Sequence, residues 1–115
     1  MSKSMKESHS GIDHYRMFIN GEFADSVGGE KIEVASPTTE EVLYTVPDGS
    51  AKDAQLALRT AEAAQPAWAA TPAVERGEIL ARFANLIRGN LEQLANILVS
   101  EMGKTYGLAL GEVDV

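Results

Sequence analysis

Cysteine is missing from all 115 residues, which excludes a disulfide framework, a thiolate metal site and a thiol nucleophile within this chain. No apolar run approaches the roughly 20 residues that span a bilayer. Met1 to Ser10 is polar and lacks the apolar core of a secretory signal. Basic charge is scarce as well: 10 Lys and Arg against 17 Asp and Glu give a net charge of −7. The cations are scattered singly, whereas a phosphate backbone is gripped by clustered Lys and Arg. The expectation is a cytoplasmic protein with neither a membrane nor a nucleic acid as partner. There is no Gly-x-Gly-x-x-Gly turn to bring backbone amides against a pyrophosphate.

What is present divides into an extended third and a helical remainder. Met1 to Asp13 has no periodicity and reads as a mobile tail, with Met5 as an alternative start. His9 and His14 lie in or beside it, five apart, without carboxylate or thiolate ligands at helical spacing, so a solvated tail is favoured over a metal site. Asn20-Gly21 tolerates the positive φ angles of a tight hairpin between short strands around Phe18 and Phe23. Gly28-Gly29 marks a second turn, and Lys31-Ile32-Glu33-Val34 alternates like a strand buried on one face. Ser36-Pro37 ends it, because proline offers no amide donor and biases its predecessor away from helix. Val42 to Val46 is the next strand, closed by Pro47-Asp48-Gly49. Together these predict a small β meander.

Ser50 with Asp53 forms a capping-box-like start for a helix over about 50–65, with Ala54, Ala57, Leu58, Ala61, Ala64 and Trp68 on one face and Pro66 near its end. Thr71-Pro72 supplies a cap and first-turn pair for a second helix carrying the stripe Ile79, Leu80, Phe83, Leu86 and Ile87, which Gly89 stops. Asn90 with Gln93 opens a third through Leu91, Leu94, Ala95, Ile97 and Leu98, and Gly103 follows its end. Trp68 and Phe83, at helical spacing beside leucines and alanines, read as core anchors. The last residues, Gly107 to Val115, fall inside a periodic segment, as a further helix cut short would. The fold class is α/β, a β meander plus three to four helices. Its core is thin, because alanine buries little area at roughly 25 cal/mol per Å².

Chemistry is sparse. Gly103-Lys104 lacks the preceding spaced glycine of a phosphate loop, and Glu40-Glu41 follows a turn facing solvent. Glu101 and Glu112 lie near the ends of apolar helices, where a carboxylate can bind a cation or cap a neighbour, but one acid alone makes no acid/base pair. No serine belongs to a nucleophile elbow.

The order of segments carries more information than any one of them. Phe18-Ile19-Asn20-Gly21-Glu22-Phe23, Ser36-Pro37-Thr38-Thr39-Glu40-Glu41-Val42, Pro47-Asp48-Gly49 and the Ala-rich helix ending near Trp68 are followed by Glu75-Arg76, Ile79-Leu80, Glu101-Met102-Gly103-Lys104 and Glu112-Val113. In that order they resemble the opening of the NAD(P)-dependent aldehyde dehydrogenases. Val46-Pro47-Asp48-Gly49 and Gln65-Pro66-Ala67-Trp68 are closest in flavour to the lactaldehyde and glycolaldehyde branch. The resemblance implies that residues 17–115 are an incomplete part of a Rossmann-like cofactor-binding domain, behind a disordered tail over 1–16. It also implies a longer parent, a homo-oligomer, that oxidises a small-molecule aldehyde to a carboxylate with NAD or NADP. The cysteine nucleophile and the water-activating glutamate would lie further along, so the segment alone would be inactive. Several members hold a structural monovalent cation, and the matching positions here are the backbone oxygens of Val34 and Ala35 and the acid Glu101. The rival reading is a small acidic helical adaptor module without catalysis.

Overall fold

The computed structural model describes residues 4–114. Two compact units emerge, one formed by the residues up to Ala35 with Glu41–Pro66, the other by Ser36–Glu40 with the residues from Ala67 onward.

The first unit holds the strands. β1 (Lys6–His9) and β2 (Ile12–Tyr15) form an antiparallel hairpin, β3 (Met17–Ile19) and β4 (Glu22–Ala24) another, and β5 (Lys31–Ala35) and β6 (Val42–Pro47) pair antiparallel. The four-stranded sheet has the order β1-β2-β6-β5, with β2 parallel to β6, while β3 and β4 form a separate two-stranded sheet. The expected meander is therefore corrected. Consecutive strands do not all pair in turn, because β6 is flanked by both β2 and β5 and so joins two hairpins into one sheet.

Residues 6–15, read from sequence as part of a mobile tail, are two paired strands. Their turn is made by Ser10 and Gly11, with φ of 54° and 83°, an arrangement that matches the right-handed twist of the flanking strands. Composition hid it, since the hairpin is held by polar pairs: Lys6 Nζ donates to Asp13 at 2.8 Å, and Ser8 Oγ also donates to Asp13. Asn20 and Gly21 adopt φ of 57° and 76°, the expected hairpin turn, and Phe18 packs on Phe23 with ring centroids 5.0 Å apart.

α1 (Ala51–Ala70) begins where expected but runs through Pro66. Proline has no amide to give the Glu62 carbonyl, yet the following Ala-Trp-Ala-Ala favours helix, and one lost bond does not end it. Its first turn is the predicted capping arrangement. The Ser50 amide and hydroxyl donate to Asp53 Oδ2 at 2.8 and 2.7 Å, and the Val27 amide donates to Oδ1 at 2.9 Å.

The second unit holds α2 (Ala73–Gly89), α3 (Leu91–Met102) and α4 (Tyr106–Asp114), with α4 packed on α2 and α3. Two expected caps act in the opposite direction. The Thr71 hydroxyl donates to the Ala67 carbonyl at 3.0 Å and the Asn90 carboxamide to the Leu86 carbonyl at 2.7 Å, so each closes the preceding helix and neither caps the next through its side chain. Gly103 ends α3 as predicted, left-handed at φ 66°, its amide donating to Val99. Ser36 Oγ accepts the Thr38 and Thr39 amides at 3.3 Å each, shaping the short loop of this unit.

No large side chain is fully buried among the described residues; Ala95 of α3 and Ala109 of α4 are the fully buried apolar ones. Trp68 and Phe83, expected as core anchors, are 38% and 60% exposed. No helix of the described residues is long and apolar enough to cross a membrane.

Candidate functional site

The three residues singled out for a cation fall in different units. Val34 and Ala35 end β5 at a register shift, Val34 opposite Tyr44 and Ala35 opposite Val42, so the residue left without a partner in the ladder is Leu43 of β6. Glu101 lies half-buried in the last turn of α3. That turn carries the helix's unpaired carbonyls and their partial negative charge, has no basic residue, and no cation among the described residues pairs with the Glu101 carboxylate. Glu112, its companion in the sequence reading, is exposed and paired with Lys104.

A more connected constellation, which sequence reading missed, lies in the strand unit. His14, placed by sequence beside a solvated tail, is 3% exposed. Its Nε2 lies 3.0 Å from Asp25 Oδ1 and its Nδ1 2.9 Å from Thr45 Oγ1. A carboxylate only accepts, so Nε2 carries the hydrogen and, in the neutral ring, Nδ1 accepts from the Thr45 hydroxyl. Arg16 Nε donates to both Asp25 oxygens at 3.2 and 3.3 Å, and its guanidinium also pairs with Glu7. Burial of Arg16 opposes its charge most, but Glu7 and Asp25 together outweigh that and raise its pKa. The available signal was the alternation Ile12-Asp13-His14-Tyr15, which places His14 with Ile12 on one face of a strand.

Hydroxyl, imidazole and carboxylate in a row have the order of a nucleophilic relay. Here the imidazole is shut away from solvent and both ring nitrogens are already committed, so a substrate cannot reach it, and the cluster works as structure.

A dinucleotide does not fit these residues. α1 is the long helix that follows a strand, and at its start the Asp53 carboxylate is held by the Ser50 amide and hydroxyl and by the Val27 amide; Asp53 is 4% exposed, and its pKa is lowered by the Ser50 hydroxyl first and then by the Ser50 and Val27 amides. A pyrophosphate brought there would meet that negative charge. Among the described residues no three His, Cys, Asp or Glu converge as a metal cluster.

What remains is surface. α2 and α3 form a groove of ≈ 380 Å³ lined by Phe83, Leu86, Ile87, Asn90, Gln93 and Leu94. At the other end of α2, Arg76 Nη1 donates to the carbonyls of Ala69 at 3.1 Å and Thr71 at 2.7 Å, closing the end of the preceding helix with a cation where carbonyls need one. Arg76 is the arginine of the Glu-Arg pair noted in the sequence.

Residues 23–115 match the family model described as the aldehyde dehydrogenase family. The chain belongs to that family. It is 48% identical over 104 residues to the 3,6-anhydro-alpha-L-galactose dehydrogenase of Vibrio sp. (strain EJY3), a match covering 90% of this chain and 22% of that protein. With the lactaldehyde dehydrogenase of Escherichia coli (strain K12) it shares 41% identity over 99 residues, 86% of this chain and 20% of the relative. A solved structure of a 3,6-anhydro-L-galactose dehydrogenase superposes with a TM-score of 0.85 at 46% identity, over 88% of this chain and 21% of that one. PnpE, solved in complex with nicotinamide adenine dinucleotide, superposes with a TM-score of 0.82 at 33% identity, over 86% of this chain and 20% of its own. The chain thus spans about a fifth of the length of the aldehyde dehydrogenases it matches. Its α/β fold of strands followed by four helices is the one these family members share over that span.

Proposed function

We propose that these residues form the N-terminal strands and outer helices of the cofactor-binding domain of an NAD(P)+-dependent aldehyde dehydrogenase. The parent oxidises a small aldehyde to a carboxylate as a cytoplasmic homo-oligomer. The observation that carries this reading is the family match over residues 23–115 together with the fold, at about a fifth of the relatives' length. The segment has no residue that performs the chemistry. It contains no cysteine, the buried His14 has both ring nitrogens engaged, and a carboxylate, that of Asp53, stands at the start of α1. Its contribution is architectural.

Two experiments test this reading. The purified 115-residue chain supplied with NAD+ or NADP+ and glycolaldehyde is expected to produce no reduced cofactor; turnover would overturn the division of labour. Exchanging the matching segment of the E. coli lactaldehyde dehydrogenase for this chain is expected to give a soluble enzyme that still oxidises its aldehyde. An insoluble chimera would contradict the placement.

The monovalent cation belongs to the same reading, with Val34 and Ala35 giving backbone oxygens and Glu101 its carboxylate. The end of the β5 ladder at Val34 and Ala35, and the Glu101 carboxylate in the last turn of α3, which no cation among the described residues pairs, support it. In the chimera, sodium or potassium in place of choline is expected to raise the melting temperature, and Glu101→Gln to remove that response. An equal response in the variant would defeat the assignment.

A further inference from the structure

Asparagine followed by glycine is chemically distinctive, and the pair occurs once here. Asn85 and Asn90 precede leucine, Asn96 precedes isoleucine, and Asn20 alone precedes glycine. Asn20 is exposed at the tip of the β3–β4 hairpin, and a Cβ placed on Gly21 would meet nothing within 4 Å. The Cβ side of Gly21 is therefore open, and no hydrogen bond to a described residue engages the Asn20 carboxamide. The other asparagines are restrained. Asn85 and Asn96 lie within helices, where the following amide is used by the helix, and the carboxamide of Asn90 is bound to the Leu86 carbonyl.

We infer that Asn20-Gly21 is a site of spontaneous deamidation that, once reacted, opens the β3–β4 hairpin. The Gly21 backbone nitrogen attacks the Asn20 side-chain carbonyl carbon, forming an N–C bond. The bond from that carbon to Nδ2 breaks, and ammonia leaves with the proton given up by the Gly21 amide. Water then adds to either carbonyl of the five-membered imide and reopens it, giving aspartate or isoaspartate with no change in oxidation state.

The two products differ in their effect on the turn. Aspartate keeps the backbone and tolerates the left-handed region as asparagine does. Isoaspartate routes the main chain through the side chain and lengthens it by one carbon. A two-residue turn with φ of 57° and 76° cannot absorb that carbon and keep Ile19 opposite Glu22. β3 and β4 have three residues each and pair with no other strand among the described residues, so no ladder there remains to hold them once the turn fails. The Phe18–Phe23 contact is lost with the hairpin.

Asp48-Gly49 offers the same ring closure, but a carboxylate is a far poorer electrophile than a carboxamide, and its isomerisation leaves the mass unchanged. The test is incubation of the intact chain in mildly alkaline buffer, with peptide mapping by mass, labelling by protein isoaspartyl methyltransferase, and amide exchange. The peptide carrying Asn20 is expected to exchange the mass of an amide for that of an acid well ahead of those carrying Asn85, Asn90 and Asn96. Methyl labelling should rise with it, and Asn20→Gln should abolish both changes at this peptide. Aged protein should lose amide protection across residues 17–24, whereas freshly made Asn20→Asp should keep it. Unchanged mass at Asn20, or faster conversion at another asparagine, overturns the site. Full protection in isoaspartate-labelled protein overturns its consequence.

Discussion

The strand unit buries polar side chains, whereas the helical unit buries small apolar ones together with the polar Ser36 of its loop. In the first, the inaccessible side chains are polar: His14, Ser26 and Asp53 are closed off, and each has hydrogen-bond partners. In the second, the fully buried apolar residues are the small Ala95 and Ala109, while Leu80, Phe83, Leu86 and Leu108 are between 59% and 67% exposed. A buried polar group is costly to leave unpaired, so the strand unit is held by geometry that a single substitution breaks. Exposed leucine and phenylalanine contribute little where they stand and gain value only when covered. The contrast explains how a segment with so thin a core keeps well-defined strands while its helices present an apolar flank.

The largest effect expected from breaking this comparison is at His14. His14→Leu removes the hydrogen-bond partner of the Thr45 hydroxyl and one of the donors to Asp25, which Arg16 still holds, and should cost about 1–2 kcal/mol in urea unfolding, with loss of amide protection in β2 and β6. A cost no larger than that of a surface change would mean the cluster is not structural. Next comes Gly103, whose left-handed backbone and close approach to Pro37 and Thr38, 3.3 and 3.4 Å from an added Cβ, penalise any side chain. Gly103→Val should destabilise the helical unit by about 1–2 kcal/mol, and Gly103→Asn by less, as read by thermal melting.

A smaller, pH-dependent effect is expected at Asp53. Its folded pKa lies below the ordinary 3.8 because the Ser50 hydroxyl and amide and the Val27 amide favour the charged form. The folded state therefore gains from ionisation: this contribution is complete above 3.8 and is lost as pH falls through the lower folded value. Asp53→Asn should be less stable than the parent at neutral pH, and the gap should narrow in acid. A gap independent of pH would remove the carboxylate from the account. The smallest effect belongs to the exposed flank. Leu86→Gln or Phe83→Gln should change the stability of this chain by no more than about 0.5 kcal/mol while reducing its binding of a hydrophobic dye.

Local chemistry was readable where one residue type has one geometric use. Asn20-Gly21 could hardly be anything but a tight turn, Gly103 could only follow a helix, and Asp53 beside Ser50 announced the start of α1. Residues able to serve either neighbour were misassigned, as Thr71 and Asn90 show. Each stands between two helices, and its side chain reaches back to the carbonyl four residues earlier. Pro66 misled for a related reason, since a proline removes one helical bond and the residues after it decide whether the helix continues. Most of the candidate site was hidden because its contacts are distant in sequence. His14 meets Thr45 only because β2 lies parallel to β6, a pairing that no local pattern encodes. The alternation over residues 12–15 was the one available trace, and polar composition obscured it. Val34, Ala35 and Glu101 owe their selection to the resemblance, whereas the register shift at the end of β5 and the lack of a paired cation at Glu101 among the described residues come from the structure.

Hydroxyl-radical footprinting of Phe83 and Leu86 tests the central claim most directly, comparing the 115-residue chain with the chimera that joins it to the rest of the lactaldehyde dehydrogenase. Strong labelling of both residues in the chain and protection of both in the chimera is the predicted result. Equal labelling in an active chimera would show that the apolar flank of α2 was never meant to be covered by the rest of an aldehyde dehydrogenase.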